Sequence, residues 1–218
     1  MPTERTEQES FIFIEECGFA LKELFNTLKP LLRASQEFEK QLADIESTKK
    51  VFLSKFIDQD QWSVNANYHY THYLDRMQAL NAQKQNIEAA KIRQVKDLLA
   101  KIGATQESMA ILAGAILQIG KQVLSFRYGT KPSHLAGVRQ VGSQSVVELI
   151  WEGRNHALHW EDQKSKQPVQ DMLNKLHKEG KAKIETDKNN ACIILDALEW
   201  SDADKVIADL KTLVRSTQ

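Results

Sequence analysis

The sequence predicts an all-α fold: an antiparallel helical bundle with a long helical hairpin and a small helical C-terminal tail. Three observations carry that expectation. Apolar residues recur at alternating steps of three and four over much of the chain, the period of an amphipathic helix. Only four prolines and nine glycines interrupt 218 residues, which suits long helices joined by few turns. Helix start and stop signals then bracket several of the periodic stretches, among them Ser145-Val-Val-Glu148 and Ser201-Asp-Ala-Asp204.

Taken in order, Phe11, Ile14, Gly18, Leu21, Phe25, Leu28 and Leu32 form the seam of a first helix, which Pro30 is expected to kink or end. Phe38, Leu42, Ile45, Phe52 and Phe56 carry a second helix, and the polar stretch Asp58 to Asn67 around Trp62 reads as a connection. A third helix is expected from Tyr68 to Ile102, stopped by Gly103, with an exposed middle from Asn81 to Lys96 that is poor in large apolar residues. Its start, Tyr68-His-Tyr-Thr-His-Tyr73, could stack on unpaired bases or share a metal between His69 and His72. The favoured reading of that start is aromatics packing on the bundle. A fourth helix, capped by Thr105, carries Met109, Leu112, Ile116, Ile119, Val123 and Phe126. It is apolar on several sides, so it is expected to be central, with Met109, Leu112, Ile116, Ile119 and Val123 almost wholly buried.

Gly129 and Pro132 stop that helix, and the loop to Ser143 brings His134 and Arg139 within reach of a phosphate. The capping box at Ser145 and Glu148 then starts a helix whose apolar side is Val146, Val147 and Ile150. After a polar stretch from Glu161 to Lys166, a short helix follows Pro168 with Val169, Met172, Leu173 and Leu176, ended by Gly180. Lys181 to Asn190 is a charged loop, and Ala191 to Leu198 is too brief for periodicity to decide between helix and strand. A last helix turns Val206, Ile207, Leu210 and Leu213 inward. The expected organisation is a bundle over residues 1–164 and a small helical extension, 165–218, packed on the same domain.

Composition bounds the function. Formal net charge is zero, so no global field draws the protein to nucleic acid, and any RNA contact must rest on a local patch. The polar, acidic N-terminus is unlike a signal peptide, the most apolar run, Met109 to Ile119, is too short for a bilayer, and Cys17 and Cys192 suit a reducing compartment. A cytoplasmic protein without a membrane partner is the expectation.

Chemistry concentrates in Glu152-Gly-Arg-Asn-His-Ala-Leu-His-Trp160. At about 100° per residue, Glu148, Glu152, Asn155 and His159 share one polar face, with His156 at its edge. Arg154 projects instead into the stripe of Val147, Ile150, Ala157 and Leu158. A guanidinium is costly to bury without an anion, so Arg154 is expected to line an interface or cleft, or Gly153 loosens the helix and re-aims it. Imidazole shuttles protons near neutral pH, and guanidinium matches phosphate oxygens with a two-pronged hydrogen bond. Asn155, four residues before His159, is placed to orient its ring.

At Arg154-Asn155-His156-Ala157-Leu158-His159 the chain resembles the HEPN superfamily, whose hallmark is Arg-x(4–6)-His, commonly Arg-Asn-x-x-x-His. The resemblance covers the motif helix and the helix before it. It implies a metal-independent ribonuclease without a cofactor, in which His159 is general base or acid at a ribose 2′-hydroxyl. Arg154 would stabilise the phosphorane and Asn155 would orient one of them, leaving a 2′,3′-cyclic phosphate and a 5′-hydroxyl. It also implies a homodimer through the motif helix, expected around Ile150 and Trp151, with RNA as substrate and an antitoxin partner in a toxin–antitoxin or other defence system. His156, Trp160, Arg139 and His134 are the further candidate RNA contacts. Two departures stand out. Glu161 occupies the position where some HEPN toxins carry a tyrosine that an adenylylating antitoxin modifies, and bulky Trp160 replaces the small residue often found after the histidine. Two other classes compete: a HEPN-like module that binds nucleotide or RNA, or mediates assembly, without cleaving, and a metal hydrolase using Glu152, His156 and His159.

Overall fold

The computed structural model describes residues 5–60, 70–132, 135, 137–160, 167–185 and 188–215, with side chains left out of the description at 48–60, 70–77, 80, 83 and 84. Among them the fold is all-α. The helices are α1 (Glu7–Asp60), α2 (Tyr70–Tyr128), α3 (Val146–His159), α4 (Gln167–Lys178), α5 (Ala191–Ala197) and α6 (Ala203–Arg215). Two two-residue strands, β1 (Gln140–Val141) and β2 (Gln144–Ser145), pair antiparallel with Gln140 opposite Ser145. Gly142 turns between them at φ 61, a left-handed conformation that suits glycine.

Two expected helix ends are absent. Pro30 lies inside α1, and Gly103 lies inside α2, so four expected helices are two. Pro30 removes one backbone hydrogen bond, yet it is exposed and followed by the helix formers Leu31, Leu32, Arg33 and Ala34. Gly103 is also exposed and costs only about 1 kcal/mol relative to alanine in a helix interior. Neither outweighs the apolar rows that continue on both sides.

The chain forms two compact units, Met1–Leu32 with Glu107–Gln218, and Arg33–Gln106. In the first, one core joins Ile14, Leu21 and Phe25 of α1 to Ile116, Leu117 and Leu124 of α2, and to Val147, Leu149 and Ile150 of α3. Met172, Leu176, Ile194, Leu210 and Val214 belong to the same core, so the C-terminal helices are integral to it. The second unit, made from the remaining lengths of α1 and α2, buries Ser35, Leu98 and Ile102 among its described side chains.

The expected burial of α2 holds for Met109, Ile116 and Val123, whereas Leu112 and Ile119 are only partly buried. The stretch Gln85–Tyr128 is long and apolar enough to cross a membrane by length and composition, and 44% of its most apolar window is buried in the fold. The run from Met109 to Ile119 therefore understates the length of the helix that contains it.

The start of α6 is capped by Asp202, whose Oδ1 accepts from the Lys205 N–H at 3.0 Å. Residues 191–197 resolve as helix. The stretches 61–69 and 161–166, with Trp62, His69 and Glu161, lie outside the described residues.

Candidate functional site

The motif helix is fixed at its start by the predicted cap: Ser145 Oγ accepts from the Glu148 N–H at 3.2 Å. Its apolar side then sinks into the core, with Val146, Val147, Leu149 and Ile150 buried. Ile150, expected beside Trp151 at a dimer interface, is fully buried in this core and presents no surface of its own. Gly153 has a packing reason of its own. A Cβ at that position would stand 2.9 Å from Ile194 Cγ2, so α3 approaches α5 more closely than any side chain allows. On the neighbouring side Gly114 of α2 lets α3 in at Ala157, where a Cβ would stand 3.0 Å from the alanine methyl.

These close approaches bring the polar side of α3 against α2. Lys131 Nζ donates to Glu152 Oε1 at 2.6 Å, and Asn155 Nδ2 donates to Glu152 Oε2 at 3.1 Å. Asn155 Oδ1 in turn accepts from Lys121 Nζ at 3.3 Å and from Arg154 Nη1 at 3.4 Å. Arg154 Nε also donates to Gln118 Oε1. Glu152 is buried and both its oxygens are bonded, so the carboxylate keeps its partners without water. The side chain of Arg154 is half-buried and turned toward α2 rather than into the core. The aliphatic stripe it was expected to interrupt ends early, because Leu158 is 57% exposed. Its two acceptors are neutral amide oxygens, and no carboxylate pairs with it among the described residues.

The two histidines of the motif part company. His156 is buried, and its Nε2 accepts the backbone N–H of Asn190 at 3.0 Å. Asn190 ties the preceding loop together: its Nδ2 donates to the carbonyls of Glu185 and Lys188, and its Oδ1 accepts from the Glu185 N–H. His156 Nδ1 is buried without a hydrogen-bond partner. Burial holds the ring below the ordinary imidazole pKa, opposed in part by the nearby Lys188 backbone. The sequence placed His156 at the edge of the polar face as an RNA contact; in the fold it is buried against Asn190. His159, by contrast, is exposed as the last residue of α3, with half-buried Trp160 after it.

Of the other candidates, Arg139 donates through Nη2 to the Leu198 carbonyl at 2.7 Å and to the Asp209 carboxylate, which also accepts from Trp200 Nε1 at 2.8 Å. It fastens the β1 region to the C-terminal helices. His134 lies outside the described residues. Glu152, His156 and His159 do not make a metal-binding group, and no cluster of three metal-ligating side chains occurs among the described residues. Cys192 is half-buried, and burial pushes its thiol up to about 12, so it is a poor nucleophile.

The structure therefore joins Arg154 to Asn155 and sets His159 one turn further on. Over five residues an α-helix turns so that Arg154 and His159 leave the axis roughly 140° apart. It also adds Gln118, Lys121 and Lys131, which the sequence reading passed over. The available signal was the break in the apolar pattern of α2 at Gln118, Lys121 and Gln122. No family model, no curated protein and no solved structure matches the chain.

Proposed function

We propose that the protein is a HEPN-like, metal-independent ribonuclease whose working site is completed in a homodimer. The observation that carries this reading is the separation of the two histidines. The one at the family spacing, His159, is solvent-accessible one turn beyond Asn155, while His156, outside the pattern, is locked into the fold. In this reading His159 takes the proton from a ribose 2′-hydroxyl or gives one to the leaving oxygen. Arg154 stabilises the charge that gathers on the phosphorane. Asn155 orients Arg154, to which it is hydrogen-bonded, and is itself held by Glu152. Because Arg154 and His159 diverge around one helix axis, a two-fold pairing of motif helices would supply a facing set. Exposed Leu158 and half-buried Trp151 would offer the surface of α3 for that pairing, in place of the buried Ile150.

The reading is tested by incubating purified protein with mixed RNA in EDTA, beside His159→Ala. Products with 2′,3′-cyclic phosphate and 5′-hydroxyl ends support it; intact RNA with the wild type overturns it. A second reading, a module that binds RNA or nucleotide without cleaving, draws on the divergence of Arg154 and His159 within one protomer. Under it, wild type and His159→Ala bind RNA alike and neither cuts. A role in toxin–antitoxin or other defence, with an antitoxin partner, is analogy with the family alone.

A further inference from the structure

Beside the motif, two cations from different helices share one neutral acceptor. Lys121 on α2 and Arg154 on α3 both donate to Asn155 Oδ1, at 3.3 and 3.4 Å. Asn155 is not free to turn away, since its Nδ2 is bonded to the buried carboxylate of Glu152, which Lys131 holds from the other side. Lys121 is positioned as well: its Nζ lies 4.6 Å from the centroid of the Trp151 ring. The two bonds to the amide oxygen are near the long limit for hydrogen bonds. An amide oxygen carries only a partial charge, and an anionic oxygen arriving between the same donors would bond to both more strongly.

We propose that Lys121 and Arg154 form a phosphate clamp for the RNA backbone, with Asn155 as the spacer between the two cations. The choice of RNA rests on the ribonuclease reading. The clamp extends it with a binding residue, Lys121, that lies outside the Arg-Asn-x-x-x-His pattern and on another helix. It also accounts for how a chain of zero formal net charge could attract a polyanion. One hydrogen-bonded chain sets Lys121, Lys131 and Arg154 around the carboxylate of Glu152.

The test uses a fluorescent 2′-O-methyl oligouridylate, which lacks the hydroxyl needed for cleavage, so binding is read apart from chemistry. Anisotropy titrations over a salt series give the affinity and its salt dependence. Lys121→Gln, with folding checked by its thermal midpoint, is expected to weaken binding about tenfold and to reduce the slope of log K against log salt by about 0.7, one phosphate contact on a single strand. Lys121→Arg is expected to restore both. A lysine that merely packs on Trp151 would leave the slope unchanged. An unaltered affinity and slope in Lys121→Gln, or no binding by the wild type, overturns the clamp. If the slope changes as expected but natural RNA stays intact, the clamp stands and the ribonuclease reading falls. If natural RNA is cut and Lys121→Gln binds as the wild type does, the reverse holds.

Discussion

Along α2, the length inside the first unit buries Met109, Ala113, Ile116, Leu117, Val123 and Leu124, whereas the described length inside the second buries only Leu98 and Ile102 and leaves Ile92 and Leu99 more than half exposed. Both lengths are equally helical. The difference lies in what surrounds them. In the first unit α3, α5 and α6 contribute to a shared core, while the described residues of the second unit are lengths of α1 and α2. Helix formation and burial are thus separate outcomes of sequence: a periodic pattern specifies the first, and the supply of neighbouring elements decides the second.

The sharpest test of that contrast is truncation at the best-buried position. Ile116→Ala, at a fully buried site, is expected to cost about 2–5 kcal/mol in chemical denaturation. A loss below about 1 kcal/mol would show that the first unit's core is not the main source of stability.

Next in size is Gly153→Ala. The added methyl would meet Ile194 at 2.9 Å, so overpacking of about 1–3 kcal/mol is expected, read as a lowered midpoint with helix content retained. An unchanged midpoint would mean that α3 and α5 are not held in close contact.

A smaller effect follows from His156. Its pKa is depressed in the folded protein, chiefly by burial, so the folded state binds fewer protons than the unfolded state, where the ordinary value of 6.5 applies. Its contribution to stability is therefore complete above 6.5 and is lost as pH falls below it. Melting temperatures taken at about pH 7.5 and about pH 5.5 should fall more for the wild type than for His156→Gln. Equal falls would show that the buried His156–Asn190 contact does not set this pH dependence.

The smallest expected effect is in the second unit. Leu99→Ala, at a position 52% exposed, should change stability by no more than about 0.5 kcal/mol. A loss comparable to that of Ile116→Ala would erase the distinction between the two lengths of α2.

Much of this architecture was legible in the sequence, for identifiable reasons. The cap at Ser145, the helices after Pro168 and Ser201, and the burial of Met109, Ile116 and Val123 depend on local chemistry and period, which sequence carries directly. The continuity of α1 through Pro30 and of α2 through Gly103 was not legible. A breaker's local cost is visible in sequence, but the packing that outweighs it is not. The β1–β2 pair is too short to produce an alternating pattern. At the site, the helical wheel gave the polar face of α3 but not the long-range partners. Asn190 covering His156 and Lys121 reaching Asn155 each join positions 34 residues apart. Arg139 illustrates the same limit, since Asp209 and the Leu198 carbonyl claim a guanidinium that sequence left available for RNA.

The central claim, that Arg154 and His159 cut RNA without a metal, is tested most directly by one cleavage series in EDTA with wild type, His159→Ala and Arg154→Ala. The account predicts wild-type products with 2′,3′-cyclic phosphate and 5′-hydroxyl ends. His159→Ala should lose about 10²–10⁴-fold in rate, and Arg154→Ala about 10²–10³-fold, both with helix content intact. Intact RNA with the wild type, cleavage that requires a divalent ion, or full activity in His159→Ala would contradict it.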